Sequence, residues 1–131
     1  MSKLTELVQT ADWKTEKHAP VIECPDQVAA GELFEVELGV GKEIAHPNTT
    51  EHHIRWIRLY FLPDGGAAPF EVATIEFSAH VETAAGANQG PVFTQHQGSA
   101  FLKLSQSGTL IATSYCNIHG LWESSQQITV G

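Results

Sequence analysis

Near the C-terminal end, Ser114-Tyr115-Cys116-Asn117-Ile118-His119-Gly120-Leu121-Trp122 sets a thiol and an imidazole three residues apart, between a run of strand character and a glycine. A chain that reverses between them can bring both side chains to one metal ion. The only other cysteine is Cys24, so the pair reads as metal chemistry rather than as part of a disulfide framework. Two ligands do not complete a coordination shell, and the remaining donors must come from elsewhere in the chain.

Seven histidines in 131 residues supply candidates. His18 lies in Thr15-Glu16-Lys17-His18-Ala19-Pro20, and His46, His52 and His53 share one segment that runs into Ile54-Arg55-Trp56-Ile57. His119 belongs to the Cys116 stretch, while His80 and His96 stand alone and read as structural or exposed. Three histidine neighbourhoods border predicted strand ends, where the loops of an all-β fold gather. One thiolate among several imidazoles suits zinc, copper or iron. A structural zinc site closes at four ligands, fewer than this chain offers. A blue-copper site would want a weak axial thioether, and the one methionine is Met1. A nitrogen-rich iron site with one thiolate fits the donor set better. His52 and His53 are adjacent, and extended residues alternate faces, so one of the two points at the metal; periodicity does not say which.

The elements that must position these groups are mostly strands. Alternating or β-branched and aromatic runs occur at 33–40, 54–62, 70–79, 97–104, 109–115 and 125–130. Pro63-Asp64-Gly65-Gly66 is a turn, and Ser107-Gly108 reads as a hairpin turn. Leu4, Leu7, Val8 and Trp13 recur at helical spacing, predicting one short helix over 2–13 with Ser2 as its cap and Trp13 as its anchor. Short strands between turn residues predict an antiparallel sandwich or barrel, as one domain spanning 1–131.

Composition excludes several function classes. Fifteen acidic against seven basic residues give a net charge of −8, which opposes nucleic-acid binding. An anionic substrate would need a local positive site to overcome that field. No apolar run reaches the roughly 18 residues of a membrane span, and the start of the chain has no signal-peptide core. Sparse cysteine usage points to a reducing compartment, hence the cytoplasm.

Taken together, Glu16-Lys17-His18-x-Pro20, His46-Pro47-x-x-x-Glu51-His52 and Cys116-Asn117-x-His119-Gly120-Leu121-Trp122 make the chain resemble superoxide reductase of the small neelaredoxin type, related to desulfoferrodoxin. The resemblance implies an immunoglobulin-like β-sandwich and a mononuclear non-haem iron centre that reduces superoxide to hydrogen peroxide. It assigns His18, His46, His52 and His119 as four equatorial imidazoles and Cys116 as the axial thiolate. Glu16 would take the sixth position when the iron is ferric, and Lys17 would lie beside the open position. Choosing His52 over His53 follows from the family motif, which takes the residue after Glu51. The resemblance further implies rubredoxin or a similar small redox protein as electron donor, and a homotetramer. Larger members carry an N-terminal four-cysteine iron site; no cysteine precedes Cys24, so one centre is expected here. Backbone N–H groups of Asn117 and Gly120 are expected near the Cys116 sulfur, tuning its potential. Trp56 and Trp122 are expected in the core or the site wall. The residues alone also leave room for a cupredoxin-like electron-transfer protein or a non-enzymatic metal-binding module.

Overall fold

A computed structural model describes residues 3–131. A helix, α1 (Leu4–Leu7), precedes nine strands: β1 (Gln9–Thr10), β2 (Pro20–Glu23), β3 (Gln27–Val28), β4 (Phe34–Val40), β5 (Ile54–Pro63), β6 (Phe70–Glu76), β7 (Gln97–Leu102), β8 (Gly108–Cys116) and β9 (Gly120–Val130). One sheet runs β1-β9-β8-β5-β6, with β3 also on β9; the other runs β2-β4-β7. The fold is an immunoglobulin-like β-sandwich. The long strands pair antiparallel, and the two-residue strands β1 and β3 pair parallel to β9.

Side-chain alternation builds the core. On β4, Phe34, Val36, Leu38 and Val40 are buried while Glu35 and Glu37 are exposed, the period-2 pattern of a half-buried strand. On the opposite sheet Ile57, Leu59, Leu110 and Ala112 are wholly buried, and each large aliphatic side chain contributes roughly 1.5–3 kcal/mol by leaving water. The same alternation along β8 carries Leu110, Ala112, Ser114 and Cys116 inward in turn. Cys116 therefore sits where the apolar core ends. On β5 the register against β8 shifts between Ile54 and Trp56. Ile54 and Ile57, three residues apart, consequently both face the core.

Three sequence expectations change. The helix shrinks from 2–13 to a single turn at Leu4–Leu7, because Leu4 and Leu7 remain about 60% exposed with nothing to pack on; Gln9 and Thr10 instead join β9. The expected cap, Ser2, lies outside the described residues. Trp13 anchors no helix: it sits past β1, with the Lys14 and Lys42 ammonium groups 5.7 and 5.9 Å from its ring. Ser107-Gly108 is not a hairpin turn, since β7 and β8 belong to different sheets and the chain crosses between them there. Gly108 opens β8, where a Cβ would stand 2.3 Å from the Leu62 carbonyl oxygen.

Candidate metal centre

The turn that matters joins β8 to β9. Cys116 and Gly120 form the last ladder pair, leaving Asn117-Ile118-His119 as a three-residue reversal. Gly120 has φ +82°, a conformation that glycine adopts without the steric cost of a Cβ. The reversal folds His119 back onto the thiol: its backbone N–H donates to Cys116 Sγ at 3.4 Å, and its ring Nδ1 lies 3.8 Å from the sulfur. The sulfur's backbone donor is thus His119 rather than Asn117, whose N–H donates to the His53 carbonyl at 3.1 Å just past the end of the β5–β8 ladder.

His18 approaches from the loop before β2. Its Nε2 lies 3.0 Å from His119 Nδ1, and the Trp122 ring stacks on it at 5.0 Å. Ser114, fully buried on β8, donates its hydroxyl to the His18 carbonyl at 3.2 Å and ties this loop to the strand that carries Cys116. Glu16 orients the ring. One carboxylate oxygen meets His18 Nδ1 at 2.5 Å, while the other accepts the His18 and Ala19 backbone N–H groups. Partial burial pushes the Glu16 carboxyl up, but these hydrogen bonds outweigh it and hold the group below its ordinary value. Glu16 thus faces His18, a contact the sequence did not signal.

The third loop completes the cluster. Ligand atoms of His18, His52, Cys116 and His119 all lie within 4.8 Å of one another. His46 stands edge-on to two of these rings, with centroids 4.9 Å from His18 and 4.8 Å from His52. Its Nδ1 donates to the Pro47 carbonyl at 2.6 Å, which leaves the lone pair on Nε2, although His46 is not one of the four residues whose ligand atoms converge. Nε2 of both His46 and His52 is buried without a hydrogen-bond partner. Orphaned imidazole nitrogens beside a thiol are costly in a bare protein and are what a bound cation satisfies. Burial holds the His46 imidazole near a pKa of about 4. Burial also lowers His52, helped by the neighbouring charges of His119, His18 and Lys17. Both rings therefore stay neutral at ordinary pH, the form that binds metal. Lys17 is half-buried, its charge is felt at His52, and it forms no ion pair among the described residues.

The remaining histidines stay outside this group. His53 is buried but turns away, with Nδ1 against the Thr49 carbonyl and its ring stacked on His80 at 3.4 Å. His96 is buried behind His46, ring perpendicular at 5.6 Å. Trp122 lines the site, while Trp56 lies on Tyr115 with Arg58 over its indole. Ser114 was not singled out from sequence, although a hydroxyl among the inward residues of β8 is a signal that a buried acceptor awaits it.

A β-sandwich that gathers imidazoles and one thiolate at one end has the architecture of a metal-binding protein. The desulfoferrodoxin profile matches residues 10–125, and the chain belongs to the desulfoferrodoxin family. It is 58% identical to the neelaredoxin of Megalodesulfovibrio gigas, with 98% of each chain covered. It is 51% identical to the superoxide reductase of Pyrococcus furiosus, covering 92% of this chain and 95% of the other. Among solved structures, the reduced superoxide reductase (neelaredoxin) of Archaeoglobus fulgidus superposes with a TM-score of 0.85 at 50% identity, over 94% of this chain and 98% of that one.

Proposed function

We propose that the chain is a superoxide reductase: superoxide takes up one electron and two protons and leaves as hydrogen peroxide, without release of dioxygen. Close identity to named superoxide reductases over nearly the whole chain supports the reaction. The single observation that carries the site is the convergence of His18, His52, Cys116 and His119 on one point. His46, outside that group of four, keeps a buried, unpartnered Nε2 with its ring 4.9 Å from His18 and 4.8 Å from His52. These five donors would hold a mononuclear non-haem iron, which supplies the electron by passing from ferrous to ferric, with thiolate donation from Cys116.

The chain's own groups do the rest. Lys17 places a positive charge beside the imidazoles in a protein of net charge −8, so the anion meets local attraction where the global field would repel it. As an N–H donor it is also the group to pass a proton toward a departing peroxide oxygen. Glu16 fixes the His18 ring, and it would have to release its bonds to His18 and Ala19 to serve as the further carboxylate ligand proposed for the oxidised iron. Trp122 covers one face of His18 against water. The His119 N–H, pointing at Sγ, moderates the thiolate's electron donation.

The proposal extends to rubredoxin or a similar small redox protein as electron donor, a homotetrameric assembly and a cytoplasmic location. No helix among the described residues is long and apolar enough to cross a membrane. Metal analysis of the purified protein, with a visible spectrum and product stoichiometry, tests the reading. About one iron per chain, a thiolate charge-transfer band that Cys116→Ser removes, and one peroxide formed per superoxide are expected. An intense blue copper band would favour the electron-transfer alternative, and a colourless zinc protein would favour the non-enzymatic one.

A further inference from the structure

We propose that Asn117 is a positioning residue of the metal centre, clamping the His52 loop to the Cys116–His119 turn and thereby deciding which of two adjacent histidines faces the metal. The residue makes three hydrogen bonds to one short stretch of backbone. Its Oδ1 accepts the His53 N–H at 2.8 Å, its Nδ2 donates to the Glu51 carbonyl at 2.9 Å, and its own N–H donates to the His53 carbonyl at 3.1 Å. The β5–β8 ladder ends at the Ile54–Cys116 pair, after which β8 turns away into the hairpin. Residues 51–53 would otherwise run on with no partner strand. The Asn117 carboxamide takes that partner's place, offering one acceptor and one donor as a peptide unit does.

The consequence is directional. With both backbone groups of His53 pinned, its ring goes to Thr49 and His80. His52, in the bend that leads into β5, then lies on the opposite side, with its ring centroid 5.0 Å from His119 and 4.8 Å from His46. The loop has internal bonds of its own: the Thr49 N–H donates to the His52 carbonyl, and the His52 N–H to Thr49 Oγ1. Those bonds shape the loop without placing it against the hairpin. Asn117 does that second job from between two donors, Cys116 and His119, so one residue holds three ligands in a common frame.

The inference rests on the metal-site reading, and cobalt(II) titration of metal-free protein followed by its visible bands separates the two. Wild-type protein is expected to bind one Co(II). Asn117→Ala should bind it about 10- to 100-fold more weakly, as for loss of a group that supports a ligand, with shifted bands. Asn117→Asp keeps the acceptor for the His53 N–H but loses the donor to Glu51, and should fall between the two. A wild-type chain that binds no Co(II) overturns the site and the clamp with it. Wild-type affinity and unshifted bands in Asn117→Ala, even with a lowered unfolding temperature, reduce Asn117 to a structural role and overturn the clamp alone. If Asn117→Ala does not fold, the Asn117→Asp affinity decides, and wild-type affinity there overturns the clamp. Amide exchange needs no variant: the His53 N–H of the metal-free wild type should be protected, and exchange at the rate of an open loop overturns the proposal.

Discussion

Ser114→Ala isolates how the His18 loop is held to the strand that carries the thiol. The hydroxyl is fully buried and donates to the His18 carbonyl across 3.2 Å. Alanine removes the donor at a position wholly shielded from solvent and strands the carbonyl oxygen. A stranded buried acceptor costs about 1–3 kcal/mol. At 3.2 Å the bond is long for a hydroxyl donor, whose usual distance is about 2.7–2.8 Å, so the lower end applies: about 1 kcal/mol. For a chain of this length that lowers the unfolding midpoint by about 3–5 °C. Urea denaturation of metal-free wild type and variant at one pH measures the loss, with an unchanged slope indicating intact compactness. Because His18 is a proposed ligand, part of the loss should also appear as weaker Co(II) binding. A variant that matches wild type within about 0.3 kcal/mol, with equal Co(II) affinity, would refute the argument that this hydroxyl positions the loop.

Three further outcomes follow from the same geometry. Lys17→Ala should slow superoxide reduction on the order of tenfold at low ionic strength, with the difference shrinking as salt screens the charge; metal content should be unchanged, and pulse radiolysis across a salt series would expose a salt-independent rate that contradicts the steering role. Glu16→Ala removes the acceptor from His18 Nδ1 and from two backbone N–H groups; it should weaken Co(II) binding by about 10- to 100-fold and alter the spectrum of the oxidised iron protein, and an unaltered spectrum would remove Glu16 from the sixth position. In metal-free protein, burial depresses His46 from 6.5 to about 4 and lowers His52 and His96 as well. The unfolded chain therefore binds more protons between those values, so stability is full above about pH 6.5 and falls as pH drops toward 4; denaturation midpoints that stay flat across that window would contradict the buried, neutral state of these rings.

How much of this was legible in the chain varies residue by residue. Period-2 alternation exposed β4, because a strand half-buried against a core must alternate. The run 109–115 read as a strand, but Leu110-Ile111-Ala112 does not alternate in polarity, and its inward face came from the packing. Helical spacing at Leu4 and Leu7 misled, because spacing alone does not show whether a face finds anything to cover it. Ser107-Gly108 carried turn chemistry, yet whether the flanking strands pair with each other or join opposite sheets is a long-range matter, and here they join opposite sheets.

By itself, the sequence determined the donor types: one thiol in a tight Cys-x-x-His turn, imidazoles in two earlier segments, a lysine and a glutamate beside His18, and strands enough for a sandwich. Those are local properties, written in side-chain chemistry and short spacings. Tertiary structure alone decided the rest. It turned His52 inward and His53 out, gave the sulfur its N–H from His119, set Glu16 against His18 Nδ1, and made Asn117 and Ser114 the ties between loops. The His119–Cys116 and Glu16–His18 contacts span only three and two residues, but the loop conformations that close them are set by the strands holding those loops. The Asn117 and Ser114 ties join segments 64 and 96 residues apart, and no local periodicity encodes which partner a free donor or lone pair will meet across the end of a sandwich.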